Sequence, residues 1–428
     1  MSSNRDRRRS FLLVFALVIA TSSVARGQPD SLLQRLEQLA LRNNQNLAAL
    51  RQAWRAAEAR VPQAGALPDP VLSFNLLNLP SRELSFDLEP MTGKQFGLAQ
   101  VIPFPGKLAS VEALAAERAK AAKALFQEGQ IRLLERVRAS YYSLFFTDRA
   151  VETTVKNGAI LEQFVEIAST KYAVGKGLQQ DVLRAQVEHA RLLDKLISLR
   201  QKRRALQAQL NALLNRSPNT PVATAESLAA HPVLTQLDSL ENLAFRNRPL
   251  LRWWDARLCQ SEAEVRLAKH RRFPDLKLGL AYTQRERLRS GRGGGDLVSV
   301  TFSVSLPLHM RRKQNKAILE AKLRESRVRS QLADFKAKLR SDLESLASEI
   351  KANRRLLDLY RTGIIPQATQ SLNAALAGYR TDKVDFLTLL TNQLLLFNAE
   401  LDYYRVLRDY NAAVAKLEAT VGATLTRY

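Results

Sequence analysis

The chain has one cysteine, Cys259, in 428 residues, so it forms no intramolecular disulfide and builds no cysteine-cluster metal site. Its four histidines (His189, His231, His270 and His309) stand apart with no ligand spacing between them. No HExxH pair, glycine-rich phosphate loop or nucleophile elbow occurs. Each histidine therefore reads as a surface or packing residue, and Cys259 as a buried small hydrophobe on a helix. Glu58 and Glu262 read as members of helical charge patterns. These gaps leave an enzyme without support, and no cofactor or metal site is expected. Acidic residues are few: 41 Asp and Glu stand against 65 Lys and Arg, a formal charge of +24. Such a surplus is one footprint of nucleic-acid binding. An export signal and strands of membrane-crossing length, both described below, argue against that partner and assign the charge to a lumen, the periplasm or anionic lipid. Only 17 Gly and 15 Pro interrupt the chain, which leaves room for long helices. Past the N-terminal segment no 18 consecutive apolar residues occur, so no transmembrane helix is expected and membrane contact falls to strands.

Residues 1–27 read as a targeting segment. Arg5, Arg7, Arg8 and Arg9 precede an apolar run from Phe11 to Ala20, and Ser23 and Ala25 suit cleavage after Ala25. No cysteine follows that run, so no lipid anchor is expected there. The mature chain is therefore expected to be exported.

Between Lys94 and Lys171 one side-chain period gives way to another. Phe96, Leu98 and Ile102 fall on alternate positions, the pattern of a strand with one apolar face. Pro103-Phe104-Pro105-Gly106 ends it, because proline donates no backbone hydrogen bond and glycine turns cheaply. Helical spacing follows through Phe126, Leu133, Val137, Tyr141 and Leu144. Roughly 65 residues at about 1.5 Å each make a rod on the order of 100 Å. The same succession recurs: Val298, Val300, Phe302, Val304 and Leu306 alternate with polar residues, Pro307 stops them, and a second long helix is expected from about Arg311.

The chain is thus an internal repeat of large period. Ala40 to Val61 matches Ala244 to Val265, and Leu67-Pro68-Asp69 answers Phe273-Pro274-Asp275. Leu72, Phe74 and Leu76 answer Leu278, Leu280 and Tyr282, Pro103 stands opposite Pro307, and Tyr172 to Lys176 matches Tyr379 to Lys383. The expected organisation is a first repeat over 28–215 (strands near 71–79 and 95–102), a linker over 216–235, and a second repeat over 236–428 (strands near 276–282 and 297–306). The loop from Pro80 to Gly93, where Leu84, Phe86 and Leu88 alternate with polar residues, suggests an extra ribbon or a constriction. The loop from Thr283 to Asp296, with Arg285, Arg287, Arg289 and Arg292, is expected to be cationic and mobile. The fold class is mainly α with a β-barrel portion. Four strands cannot close a barrel, and an open edge is not tolerated in lipid, so other copies of the chain must supply closure. Leu72, Phe74, Leu76, Phe96, Leu98, Leu278, Leu280, Tyr282, Val300, Phe302 and Val304 are the expected lipid-facing positions.

On these residues the chain resembles the TolC-like outer-membrane factors, the channel components of tripartite efflux and type I secretion systems. Glu89-Pro90-Met91, Gln100 to Lys107 and Tyr379 to Gly422 are similar to the heavy-metal efflux branch. The resemblance implies a homotrimer in the outer membrane, a twelve-stranded barrel and a periplasmic tunnel of helices. It also implies a periplasmic adaptor as direct partner and an inner-membrane pump as indirect one.

Two readings stand for the paired turns. One is a plain helix–helix connection in which Gly175 adopts positive φ. In the other the turns form the shaft's periplasmic tip and contact an adaptor through Tyr172, Gly175, Lys176, Tyr379, Asp382 and Lys383. There Lys176 and Lys383 are exposed, and Tyr172 and Tyr379 pack the last helical turn. The family pattern places an entrance gate just past the second turn, with acidic residues a turn apart. This chain has Thr388 and Thr391 instead, which speaks against an acidic, cation-gripping gate. Gly363 and Pro366 are expected to kink the second rod. The expected function is a passive exit duct, with heavy-metal cations as one cargo. A type I protein secretion channel and a periplasmic coiled-coil scaffold without a barrel are the alternatives.

Overall fold

The computed structural model describes residues 29–291 and 294–425; the expected targeting segment and Arg292 lie outside the described residues. The molecule is mainly helical with one four-stranded sheet at one end. The first repeat runs α1 (Pro29–Asn43), α2 (Gln45–Gly65), β1 (Val71–Leu77), β2 (Gly93–Ile102), α3 (Lys107–Ala173) and α4 (Gln179–Leu213). The second runs α5 (Leu237–Asn247), α6 (Pro249–His270), β3 (Leu276–Gln284), β4 (Leu297–Val304), α7 (Gln314–Leu359), a π-helical turn (Tyr360–Ile364), α8 (Ile365–Arg380) and α9 (Phe386–Val421).

Each repeat opens with two helices separated by a single extended residue. Asn44 breaks the first pair and caps α2, its side chain accepting from the Leu47 N–H at 3.0 Å. Arg248, its counterpart in the repeat, breaks the second with Pro249 behind it, and proline suits a first helical turn. The long rods then agree in length. α3 has 67 residues, and α7, the π turn and α8 have 46, 5 and 16, which together equal it. At about 1.5 Å per residue each rod spans about 100 Å. The second rod starts at Gln314 and not near Arg311, because 308–313 are taken up by tight turns.

At Gly363 and Pro366 the second rod changes its hydrogen-bond pattern. The Ile365 N–H donates five residues back, to the Tyr360 carbonyl. Pro366 then lies in the first turn of α8, where a missing N–H goes unused.

Apolar side chains are buried in successive layers along the shaft, but Cys259 on α6, expected among them, is exposed. Leu47, Leu133, Val137, Leu144 and Leu210 form one layer, and Phe145, Leu343, Leu346, Tyr410 and Leu417 a second. Leu161, Phe164, Leu389 and Phe397 form a third towards the paired turns. Each such side chain contributes roughly 1.5–3 kcal/mol on burial. Arg138 on α3 binds two carboxylates, Glu37 on α1 and Glu418 on α9, and so joins three helices; despite burial these partners hold its guanidinium above its ordinary pKa. Residues 214–236 form no helix or strand. They lie along the shaft held by side chains: Arg203 donates to the Val222 carbonyl, and the Ala225 N–H donates to the Tyr141 hydroxyl at 3.0 Å.

The sheet meets the shaft through a joint between the repeats. Asp275 accepts from the Phe104 N–H at 2.9 Å and from Lys107 Nζ at 2.8 Å, and the Phe104 and Phe273 rings stack 4.4 Å apart. The first of the loops at the far end differs from expectation. Residues 78–92 form bends and no extra ribbon. Arg289 ties the two loops together by pairing with Glu83 at 2.7 Å and Asp87 at 3.0 Å, and Arg285 donates to the Gly295 and Pro90 carbonyls.

Candidate functional site

The strands pair antiparallel in the order β1-β2-β3-β4, leaving β1 and β4 as open edges. Directly opposed residues in an antiparallel pair share a face, so the register defines rows across the sheet. Leu72, Leu98, Leu280 and Val300 make one row; Phe74, Phe96, Tyr282 and Val298 make the next. Gln100, Leu278 and Phe302 make a third, and Leu276 pairs with Val304. The expected lipid-facing residues thus stand on one face, Leu76 included, where it sits opposite Lys94. The opposite face carries Ser73, Gly97, Ala281 and Ser299 in one row and Asn75, Gln95, Thr283 and Leu297 in another. No Asp or Glu occurs in any of the four strands. The apolar face is uncovered: Leu72 is 78% exposed and Phe302 71%. An apolar patch across four strands is far larger than a water-soluble surface normally shows. Among the described residues no helix is long and apolar enough to cross a membrane.

At the other end of the shaft the two turns lie side by side. Gly175 has φ +74 and Asp382 φ +59, so the same left-handed position is filled once by glycine and once by an aspartate. In both turns a backbone N–H reaches back five residues: Lys176 donates to Lys171 O at 2.8 Å and Lys383 to Gly378 O at 2.9 Å, the Schellman closure of a helix end. Lys176 and Lys383 are exposed. The tyrosines are not equivalent. Tyr379 is 5% exposed and packs edge-on against Phe386 at 5.6 Å, whereas Tyr172 is 49% exposed and does not pack the last turn as expected. Burial in turn raises the Tyr379 hydroxyl above its ordinary pKa.

Lys171 joins the turns, a role its position in the sequence does not disclose. Its ammonium donates to the Tyr379 carbonyl and to the Asp382 carboxylate, and lies 4.2 Å from the Tyr379 ring centroid. The hydrogen bond from Lys171, then its charge, hold Asp382 below the ordinary carboxylate pKa. A cleft of about 780 Å³ opens between the turns, lined by Lys171, Lys176, Arg184 and Lys383 together with Asp181 and Asp385.

Thr388 and Thr391 stand exposed on the first turns of α9. Thr391 Oγ1 donates to the Leu387 carbonyl at 2.7 Å. The Thr388 N–H donates to Asp385 at 3.0 Å, which makes Asp385 the cap of α9, and hydrogen bonds from the Thr388 side chain and then its N–H hold the Asp385 carboxyl below its ordinary pKa. A carboxylate therefore does sit beside these threonines, but it is engaged by the helix end. Between α4 and α9, Leu183, Val187, Leu387 and Leu394 line a groove of about 480 Å³. Among the described residues no group of His, Cys, Asp and Glu is arranged to hold a metal ion.

The profile of the family described as outer membrane efflux protein matches residues 36–216 and 240–423, so this chain belongs to that family. The family consists of channel proteins rather than enzymes. Among its relatives, the cobalt-zinc-cadmium resistance protein CzcC of Cupriavidus metallidurans is 24% identical over 90% of this chain and 88% of its own. Among solved structures, VceC from Vibrio cholerae superposes with a TM-score of 0.78 at 16% identity, over 92% of this chain and 96% of its own. CusC does so with a TM-score of 0.76 at 14% identity, over 92% of each chain. The protein is accordingly an outer-membrane efflux channel component whose helical shaft extends into the periplasm.

Proposed function

We propose that three copies of this chain join β1 of one to β4 of the next and close a twelve-stranded barrel, with the apolar rows against lipid and the small polar rows around the pore. The two open edges flanking a four-strand apolar face carry this reading, since neither an edge nor its unpaired N–H and C=O groups is tolerated in hydrocarbon. The α-helical rods of each copy then continue the pore as a tunnel, and the paired turns form its periplasmic entrance.

The entrance opens by separation of the turns. Lys171 holds α3 to the α8–α9 turn, so docking of an adaptor at Tyr172, Gly175, Lys176, Tyr379, Asp382 and Lys383 releases this clasp and swings α9, with Thr388 and Thr391, away from the axis. An inner-membrane pump supplies the energy, a role consistent with a sequence that carries no glycine-rich phosphate loop. Resemblance to a cobalt-zinc-cadmium resistance protein makes divalent heavy-metal cations the favoured cargo. The strand faces suit a conduit, since without carboxylates they give such ions nowhere to stop. Deleting the gene should raise cellular cobalt, zinc or cadmium and lower tolerance to them, with rescue by the intact chain. Unchanged metal content alongside loss of drug tolerance or of a secreted protein would redirect the cargo. A soluble periplasmic monomer with no heat-modifiable trimer in the outer membrane would overturn the barrel.

A further inference from the structure

A dense group of unpaired cations lies where the second repeat passes from sheet to shaft. Lys269 lies in the last turn of α6, Arg271 and Arg272 follow it, and Arg311, Arg312, Lys313 and Lys316 surround the start of α7. All seven are exposed, and among the described residues none forms an ion pair. The two groups are neighbours. Val265 and Ala268 of α6 pack on Ile318 and Ala321 of α7, and the strands between the groups meet at the Leu276–Val304 pair. The acidic residues nearby are already committed, Asp275 to Lys107 and Glu320 to Arg324. Directly on the sheet side stand Leu306, 73% exposed, and Leu308, 83% exposed. The order along the molecule is therefore an apolar strand face, two uncovered leucines, and then a band of cations.

The first repeat offers an internal control. By the pairing of Pro103 with Pro307 and of Leu67-Pro68-Asp69 with Phe273-Pro274-Asp275, Arg271-Arg272 answer Gly65-Ala66, and Arg311-Arg312-Lys313 answer Lys107-Leu108-Ala109. The single cation there, Lys107, is neutralised by Asp275 at 2.8 Å. Joining a strand to a rod does not by itself require a basic collar, so this one answers to something outside the fold.

We propose that the collar binds anionic phospholipid headgroups of the leaflet facing the periplasm. Exposed Lys and Arg at a membrane surface each add a favourable term with anionic lipid, and Arg grips phosphate through two N–H groups at once. Leu306 and Leu308 fit the acyl region just above. The lipid then fixes the depth at which the sheet sits, and fixes it on the second repeat's side of each protomer.

The test compares two charge-matched variants of the full chain, reconstituted in phosphatidylcholine with and without phosphatidylglycerol. The collar variant is Arg271→Gln, Arg272→Gln, Arg311→Gln and Arg312→Gln. The control removes four unpaired shaft charges by Lys322→Gln, Arg327→Gln, Lys336→Gln and Lys351→Gln. Native mass spectrometry counts phosphatidylglycerol retained on each, and the heat-modifiable band verifies assembly. Wild type and control should retain phosphatidylglycerol preferentially, and the collar variant should bind it roughly tenfold more weakly or worse. Equal retention by collar variant and wild type, equal loss by both variants, or no preference over phosphatidylcholine in wild type would each overturn the proposal. If the collar variant fails to assemble, single Arg311→Gln and Arg271→Gln changes replace it. A stepwise loss supports the site, and full retention by both singles overturns it. Metal export plays no part in these readouts, so the inference stands or falls apart from the cargo.

Discussion

The two repeats share a backbone plan and differ in what they expose. Their rods have equal length and their turns close through the same pair of hydrogen bonds, one with glycine and one with aspartate at the left-handed position. The first rod is α-helical throughout, whereas the second is divided by a π turn. The first turn presents Tyr172, Val174 and Leu178 to solvent; the second buries Tyr379 and Phe386. Their junctions with the sheet diverge too, one neutral and one strongly cationic. The features held in common serve the closed architecture that both repeats build together. The features that diverged are surfaces, and a duplicated chain can vary these without disturbing its core.

The largest expected effect tests where the repeats are alike. Phe74→Arg and Leu280→Arg, equivalent positions on the apolar face, should each cost about 2–4 kcal/mol per protomer in the membrane and abolish the heat-modifiable trimer. Asn75→Arg and Ala281→Arg, one residue on and facing the other way, should leave the trimer intact. Loss in all four variants, read on outer-membrane fractions, would remove the two-faced sheet.

Where the repeats differ, the effects should split. Truncating Tyr379 to Ala opens a cavity and should destabilise α8 and α9 by about 3–5 kcal/mol, seen as faster amide exchange near that turn. Tyr172→Ala should shift stability by no more than about 0.5 kcal/mol and show itself as weaker adaptor capture.

The clasp between turns gives a smaller, pH-dependent effect. Lys171→Met and Asp382→Asn should each raise open-channel occupancy in planar bilayers. Because the pKa of Asp382 is depressed on folding, its contribution is complete above the ordinary value of 3.8 and disappears as pH falls through the lower folded value. Wild-type occupancy should therefore stay flat from neutral to mildly acidic solution and rise only in strong acid. A transition near pH 6 would assign the gate to another group.

A modest effect concerns the left-handed residue. Gly175→Ala should cost about 1 kcal/mol in thermal melts of the shaft, and Gly175→Asp less than a β-branched change there. Equal melts for Ala and Val at this position would show that the first turn relaxes out of the conformation it shares with the second.

Much of this was legible because the periods are long and consistent. Two-residue alternation marked the strands, and Pro307 and Pro103 their ends, since proline cannot extend a ladder. Asn44 and Arg248 hid their helix breaks, because apolar residues keep a seven-residue spacing across them, Ala40 with Leu47 and Ala244 with Leu251. The alternation of Leu84, Phe86 and Leu88 misled for a related reason: a ribbon needs a partner strand, and Arg289 instead draws this loop to the other. Lys171 escaped notice because a lysine at a helix end is ordinary, and its two acceptors lie 208 and 211 residues away.

The sequence alone determined the repeat, the two periods and the apolar strand face, because side-chain spacing obeys local backbone geometry. Tertiary structure decided which residues meet across hundreds of positions: the rows of the sheet, the Lys171 clasp and the gathering of seven cations into one collar. Register and long-range contact depend on how rods and strands pack, and no local rule specifies that.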